Sequence, residues 1–276
     1  MKKLIPFLLL LAISVLLVAC NSDSDSSKET SNSSGKDDST NAKQTLLDKV
    51  KEEKVIKIGT EGTYMPFTFH DESGKLTGYD VEVAEEVGKR LGIKVEFYET
   101  QWDAIFAGLE SERFDAIANQ VAVSDERKEK YSFSIPYTNP SAVLVTHKDN
   151  TEIKSVEDIA GKKSAQTMTS NWAGIAESEG AEIVRVEGFN EAIQLVTSKR
   201  VDLTFNDELS VLMYQQEQPD APLQVIPYPD YKVDVGFLFR QGNEELVAEF
   251  DRVLEEMKAD GTLKELSEKW FGKDVS

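Results

Sequence analysis

From Lys54 to Asp207 the chain keeps switching between two periods. "KVIKIGT" (54–60) is a β-branched run and reads as a strand, and "EGTYMPFTF" (61–69) as a loop into a second extended piece. "YDVEVAEEVGKRLG" (79–92) sets Val83, Ala84, Val87 and Leu91 on one face, with Asp80 as its cap and Gly92 as its stop, so it reads as an amphipathic helix. Strand "IKVEFYE", helix "QWDAIFAGLES" and strand "RFDAIANQ" follow, and the pattern returns from "GKKSAQT" (161–167) to "VDLTFND" (201–207). Such alternation restricts the chain to an α/β fold with mainly parallel sheets flanked by helices.

The two halves echo each other. "DAIFAGLESERFDAIANQ" and "EAIQLVTSKRVDLTFND" share an acidic start, Ala-Ile, a helix-sized gap, then Arg-x-Asp and an apolar strand. Seven residues beyond Arg113 stands Gln120, and seven beyond Arg200 stands Asp207. Open α/β sheets bind ligands at the C-terminal ends of their strands, so two such lobes facing each other would make a cleft.

The N-terminus reads differently. Lys2 and Lys3 precede an apolar run, Leu4 to Val18, too short for the ~20 residues of a spanning helix and typical of an export signal. The run ends in "LVAC" at Cys20, the chain's single cysteine, which resembles the lipobox of bacterial lipoproteins. From Asn21 to about Lys43 the sequence is Ser, Asp, Asn and Lys with almost nothing apolar, which predicts an unstructured tether. The expected organisation is a signal at 1–19, a lipidated Cys20 with its tether at 20–44, one lobe from 45–139 plus 233–276, and a second from 140–232. A formal charge of −19 and the lack of a basic stripe argue against nucleic acid as a partner.

One position sharpens the chemistry. In "NQVAVSDERKEKY", Asn119 to Val123 reads as the end of a buried strand. Ser124 is then a good N-cap, with Asp125 and Glu126 suiting the first helical turn. Arg127 follows where a cation meets the positive end of the helix dipole. Either it is a solvated member of a charged run, or it awaits an anion that the helix start also attracts.

Taken together, "IGTEGTYMPFTF", "GKLTGYDVEVAEEVGKRLG", "WDAIFAGL", "DAIANQVAVSDERKEKYSFSIPY", "VEDIAGKKSAQ" and "DGTLKELSEKWFG" resemble the extracytoplasmic solute-binding proteins, family 3, of bacterial ABC transporters. The resemblance runs from about Lys54 to Val275. Within the family, "AQTMTSNW" and "NDELSVLMY" are most similar to members that bind cystine. It implies a two-lobed periplasmic-binding-protein type II fold, each lobe a mainly parallel sheet flanked by helices, with the ligand held between lobes. It also implies a monomeric lipoprotein that carries palmitate, needs no cofactor and delivers a polar amino acid to a permease and its ATPase.

The same resemblance assigns residues. Arg127 would grip the ligand's α-carboxylate and Asp207 its ammonium, while Glu61 would be a polar contact at the rim. Tyr64 and Trp102 would form aromatic walls, and the backbone of Gln120 and Ala122 would meet the ammonium and the carboxylate. Ala122 departs from the Ser or Thr of many members. Ser170 and Asn171, at a helix start, would add carboxylate donors, and Trp172 departs from a smaller polar residue. Each has a plainer reading: Asp207, Ser170 and Asn171 as helix caps, Trp102 as core, Glu61 as a loop acid.

His70 and His147 are the only histidines and Cys20 the only cysteine, so neither a multi-histidine nor a cysteine-based zinc site can be built. No phosphate loop, GxSxG elbow or HExxH is present. The chain therefore reads as a binding protein. Another polar amino acid is the nearest rival ligand, a dehydratase acting on small cyclic acids the rival enzyme, and a sensory domain a third class.

Overall fold

The computed structural model describes residues 44–276. The leader, Cys20 and the tether as far as residue 43 lie outside the described residues. The chain opens with α1 (Leu46–Glu53) and β1 (Val55–Thr60), then a small antiparallel sheet of β2 (Thr63–Tyr64), β3 (Thr68–His70) and β4 (Leu76–Thr77). Next come α2 (Tyr79–Leu91), β5 (Lys94–Glu99), α3 (Trp102–Glu110), β6 (Ala116–Ile117), α4 (Asp125–Lys128) and β7 (Tyr131–Phe133). The chain then builds β8 (Ser141–His147), β9 (Lys163–Gln166), α5 (Asn171–Ser178), β10 (Glu182–Arg185), α6 (Phe189–Thr197), β11 (Leu203–Asp207), α7 (Glu208–Glu217) and β12 (Leu223–Lys232). It closes with β13 (Leu238–Arg240), α8 (Glu244–Ala259) and α9 (Thr262–Phe271).

The strands form two five-stranded sheets, ordered β5-β1-β6-β13-β7 and β10-β9-β11-β8-β12. In each, the first three strands are parallel and the fourth runs against both its neighbours. The fold is therefore a two-lobed α/β structure. The chain passes from the first sheet to the second between β7 and β8 and returns between β12 and β13.

The amphipathic pattern explains the packing. Val83, Ala84 and Val87 of α2 join Ile56 and Ile58 of β1 and Phe250, Val253 and Leu254 of α8 in one buried cluster. Ile105 and Leu109 of α3 pack with Phe114, Ile117 and Leu238 in another. In the second lobe Leu203 and Phe205 of β11 meet Leu144 of β8 and Ile175 and Ala176 of α5.

The sequence echo is structural. Asp115 donates its N–H to the Lys57 carbonyl (2.8 Å) and accepts from the Lys57 N–H through Oδ2 (2.9 Å). Asp202 does the same to Lys163, at 2.9 and 2.8 Å. The residue before each Arg, Glu112 and Lys199, has positive φ, 59° and 58°. Arg-x-Asp is thus a turn that fastens an incoming strand to its parallel neighbour.

Two local expectations need correcting. Asp80 does not cap α2; Gly78 holds that position, and the Asp80 side chain turns into the protein to bond Gln120. Residues 119–122 are buried and Val123 is half-buried, but 119–123 is not a strand: β6 ends at Ile117, and only Ala122 forms a bridge, to Val235. Gly92 does end α2, in the left-handed conformation.

Candidate functional site

Between the two sheets lies a cavity with about 520 Å³ of space free of protein atoms, part of it open to solvent. Glu61, Tyr64, Trp102, Gln120 and Ala122 line it from the first lobe, and Ser170, Asn171 and Asp207 from the second. The segment just beyond β6 and the end of β11, the two arms of the echo, meet there.

Arg127 stands apart from that lining. Ser124 caps α4 by accepting from the Arg127 N–H at 3.2 Å. The half-buried guanidinium donates to the Ala122 carbonyl (2.8 Å) and across the cleft to the Thr169 carbonyl (3.0 Å). It lies over the rings of Trp102 and Phe106, 5.5 and 5.3 Å from their centroids. It lines an adjoining, more open cavity, and Ser170 and Asn171 border both spaces. None of the ion pairs among the described residues includes Arg127. Burial without a carboxylate partner lowers its pKa to about 10.

The acids sit in the opposite situation. Asp207 is buried at the start of α7, where Oδ1 accepts from Leu209 N–H at 2.7 Å, so it caps the helix and lines the cavity at once. Burial pushes its carboxyl up to about 7. Glu61 accepts from Asn119 Nδ2 at 2.6 Å, and burial raises it to about 7 as well. Both carboxylates lack a cation and would gain one from a guest's ammonium.

The walls combine packing and chemistry. Trp102 is 6% exposed and belongs to the α3 core cluster, yet its buried Nε1 has no acceptor and the residue lines the cavity. Asn171 Nδ2 is likewise buried without a partner, while Ser170 caps α5 by accepting from Ala173 N–H at 3.2 Å. Tyr64 donates its hydroxyl to Asn206 Oδ1 across the cleft at 2.7 Å.

Further bonds hold the lobes together. Asp103 Oδ1 accepts from Thr169 N and Oγ1, both at 3.1 Å, and its Oδ2 pairs with Arg185 at 3.2 Å. Gln101 donates to Glu187 at 2.8 Å. The cleft is closed.

Sequence reasoning missed several lining residues. Asn119 and Asn206 each precede a polar residue that the echo did locate, Gln120 and Asp207, and one step back along both arms finds them. Asn119 Oδ1 accepts from Glu61 N–H, Thr60 Oγ1 and Thr68 Oγ1, so it is the bracket that orients Glu61. Phe189 begins α6 as Trp102 begins α3, and both face the cavity. Thr167 carries no local signal. Among the described residues no three His, Cys, Asp or Glu side chains gather as a metal site, and no helix is long and apolar enough to cross a membrane.

A two-lobed closed cleft that pairs uncompensated acids with an uncompensated arginine is suited to a zwitterion. The model of the bacterial extracellular solute-binding proteins, family 3, matches residues 56–273. The chain belongs to that family. It is 46% identical to the L-cystine-binding protein TcyA of Bacillus subtilis over the whole of both chains. It is 49% identical to the L-cystine solute receptor of Neisseria gonorrhoeae in its unliganded open conformation, covering 83% of this chain and 98% of that one, with a TM-score of 0.57. An ancestral arginine-binding protein bound to arginine, at 36% identity over 79% of this chain and 98% of that one, superposes better, with a TM-score of 0.74. That inversion of identity and superposition agrees with lobes drawn together by the bonds above.

Proposed function

We propose that this protein is the substrate-binding component of an amino-acid ABC importer, that its ligand is L-cystine, and that it works by closure of two lobes rather than by catalysis. The observation that carries this reading is the cavity, with Asp207 and Glu61 lacking a cation and Arg127 lacking an anion at its border. Full-length similarity to a cystine-binding protein supports the choice of ligand.

In this reading one zwitterionic head lies between Arg127 and the start of α5, where Ser170 and Asn171 sit and the free N–H groups favour a carboxylate. The carbonyls of Ala122 and Thr169 are weaker partners for a guanidinium than a carboxylate is, so the guest displaces them. The ammonium meets Asp207 and the Gln120 carbonyl. Tyr64 and Trp102 cover the apolar stem, and Glu61 faces the second head. Lobes 45–139 plus 233–276 and 140–232 hinge about the two crossing segments, as in other clamshell closures.

The closed protein is then handed to a membrane permease served by an ATPase. A lipidated Cys20 carrying palmitate, with residues 20–44 as its tether, holds the protein as a monomer on the outer side of the cell membrane, after the signal at 1–19 is removed. Mass spectrometry of the mature N-terminus tests the lipid, and Cys20→Ser should release the protein into the soluble extracellular fraction.

Calorimetry of purified protein with L-cystine, L-arginine, L-glutamine and L-histidine tests the ligand. Cystine binding at least ~30-fold tighter than the others is expected. A tighter fit for another polar amino acid would reassign the ligand within the same mechanism, and appearance of a new product would turn the reading to an enzyme.

A further inference from the structure

Asp80 is a buried carboxylate beside the cavity that the ligand contacts above leave unused. It is the second residue of α2, is 0% exposed, and turns both oxygens to Gln120, with the Tyr137 hydroxyl also beside it. Oδ2 accepts from the Gln120 N–H at 2.7 Å and Oδ1 from Gln120 Nε2 at 2.6 Å. Gln120 in turn has φ +49°, the left-handed region that a residue with a Cβ adopts only when its surroundings hold it there.

This geometry decides what Gln120 can offer a ligand. Its N–H and its side-chain amide are both turned toward α2, so neither is free to face the cavity that the residue lines. Its carbonyl accepts no hydrogen bond from the described residues. The clamp also reaches the way out of the lobe. Tyr79, next to Asp80, donates its hydroxyl to the Tyr137 carbonyl at 2.8 Å, in the stretch between β7 and β8 that leads to the second sheet.

We propose that Asp80 is a positioning residue for the ligand's ammonium group: by gripping Gln120 at both its N–H and its amide, it holds the left-handed turn that leaves the Gln120 carbonyl free to accept from that ammonium. The step rests on the amino-acid reading above. A glycine at position 120 would tolerate the φ but lose the second grip, and any other residue there needs Asp80 to stay in it.

Two replacements separate the clamp from the charge. In Asp80→Asn, Oδ1 still accepts from the Gln120 N–H, and Nδ2 can donate to Gln120 Oε1 once that amide turns over. Gln120 Oε1 is buried without a partner, so the turnover breaks no existing bond to it. Asp80→Ala removes both grips.

The test is titration with L-cystine by calorimetry, melting curves, and crystal structures of both variants. Asp80→Asn should bind within about threefold of wild type with Gln120 still left-handed, while Asp80→Ala should lose about tenfold or more, well below its melting temperature, with Gln120 relaxed to negative φ. A merely structural role would move melting alone. Wild-type affinity in Asp80→Ala, a loss in Asp80→Asn as large as in Asp80→Ala, or an unchanged Gln120 turn without Asp80 would each overturn the proposal. Should the Ala variant not fold, Gln120→Ala removes the side-chain grip alone, and an unchanged dissociation constant there overturns it equally. If wild-type protein binds no polar amino acid, the proposed function fails, and the Gln120 backbone in the variant crystals still decides the positioning step.

Discussion

The Tyr64 hydroxyl donates to Asn206 Oδ1 at 2.7 Å, joining the small β2–β4 sheet of one lobe to the last turn of β11 in the other. Asn206 Oδ1 also accepts from the Asp207 N–H, so the tyrosine closes the cleft onto the residue next to the proposed ammonium site at Asp207. Tyr64→Phe removes the cross-cleft bond and leaves Asn206 partly satisfied. A loss of about 0.5–1.5 kcal/mol is expected, a two- to tenfold weaker dissociation constant. Small-angle scattering of the free variant should show a larger radius of gyration than wild type. Identical scattering together with identical affinity would mean that this bond does not hold the lobes.

Arg127 is held by carbonyl oxygens and by the faces of Trp102 and Phe106, a resting place for a cation without an anion. Arg127→Ala should therefore weaken amino-acid binding by about 2–5 kcal/mol, because a carboxylate would be left desolvated and unpaired. Arg127→Lys should recover only part of this, since a lysine cannot make the planar two-point pair. Calorimetry at fixed salt measures both, and an unchanged value for the Ala variant would remove Arg127 from the site.

Much of this was legible along the chain, for a physical reason. Ser124 capping α4, Gly92 ending α2 and Ser170 capping α5 are local events, each bonded to a partner within four residues of it. The paired positions of Gln120 and Asp207 were readable because one helix–strand unit occurs twice. Asp80 defeated the same reasoning. Its sequence position fits a helix cap, but its partner is 40 residues away, and only tertiary packing brings the two together. The resting place of the Arg127 guanidinium was equally hidden, because Thr169 reaches it from the other lobe. Residues 119–123 look like strand by composition, yet the turn at Gln120 interrupts the ladder.

The closed cleft should be sensitive to pH. Burial raises Glu61, Asp80 and Asp207 from the ordinary carboxylate range to about 7; Tyr64, beside them, is pushed well above the ordinary tyrosine value by burial and then by Asp207, and stays protonated. A carboxyl whose folded pKa exceeds its unfolded value contributes stability below pH ~4 that is lost as pH rises through ~7. Ligand binding runs the other way, because an ammonium requires the ionised form. Affinity should fall on acidification below pH 7, by at most about tenfold per unit for each carboxyl that must lose its proton. Calorimetry at pH 7 in buffers of different ionisation heat should detect proton release on binding, reduced in Asp207→Asn. A pH-independent affinity between 5.5 and 8 would show that Glu61 and Asp207 do not meet an ammonium.

Asp115 and Asp202 offer a test of the repeated unit itself. Each fastens a parallel strand through Lys57 or Lys163, in separate sheets, with bond lengths that match within about 0.1 Å. Neither lines the cavity. Replacing Asp115 with Ala orphans a part-buried strand N–H, which costs about 1–3 kcal/mol; the exposed Lys163 N–H can turn to water when Asp202 is replaced, so that loss should be smaller, and the melting temperature should fall by about 2–4 °C for each kcal/mol in a chain of this size. Because the two turns share no partner, the double variant should lose the sum of the single losses to within about 0.5 kcal/mol. The dissociation constant for the amino acid should stay at the wild-type value in all three proteins. A loss at Asp202 larger than at Asp115, measured by thermal unfolding, would mean that burial does not set the worth of these matching turns.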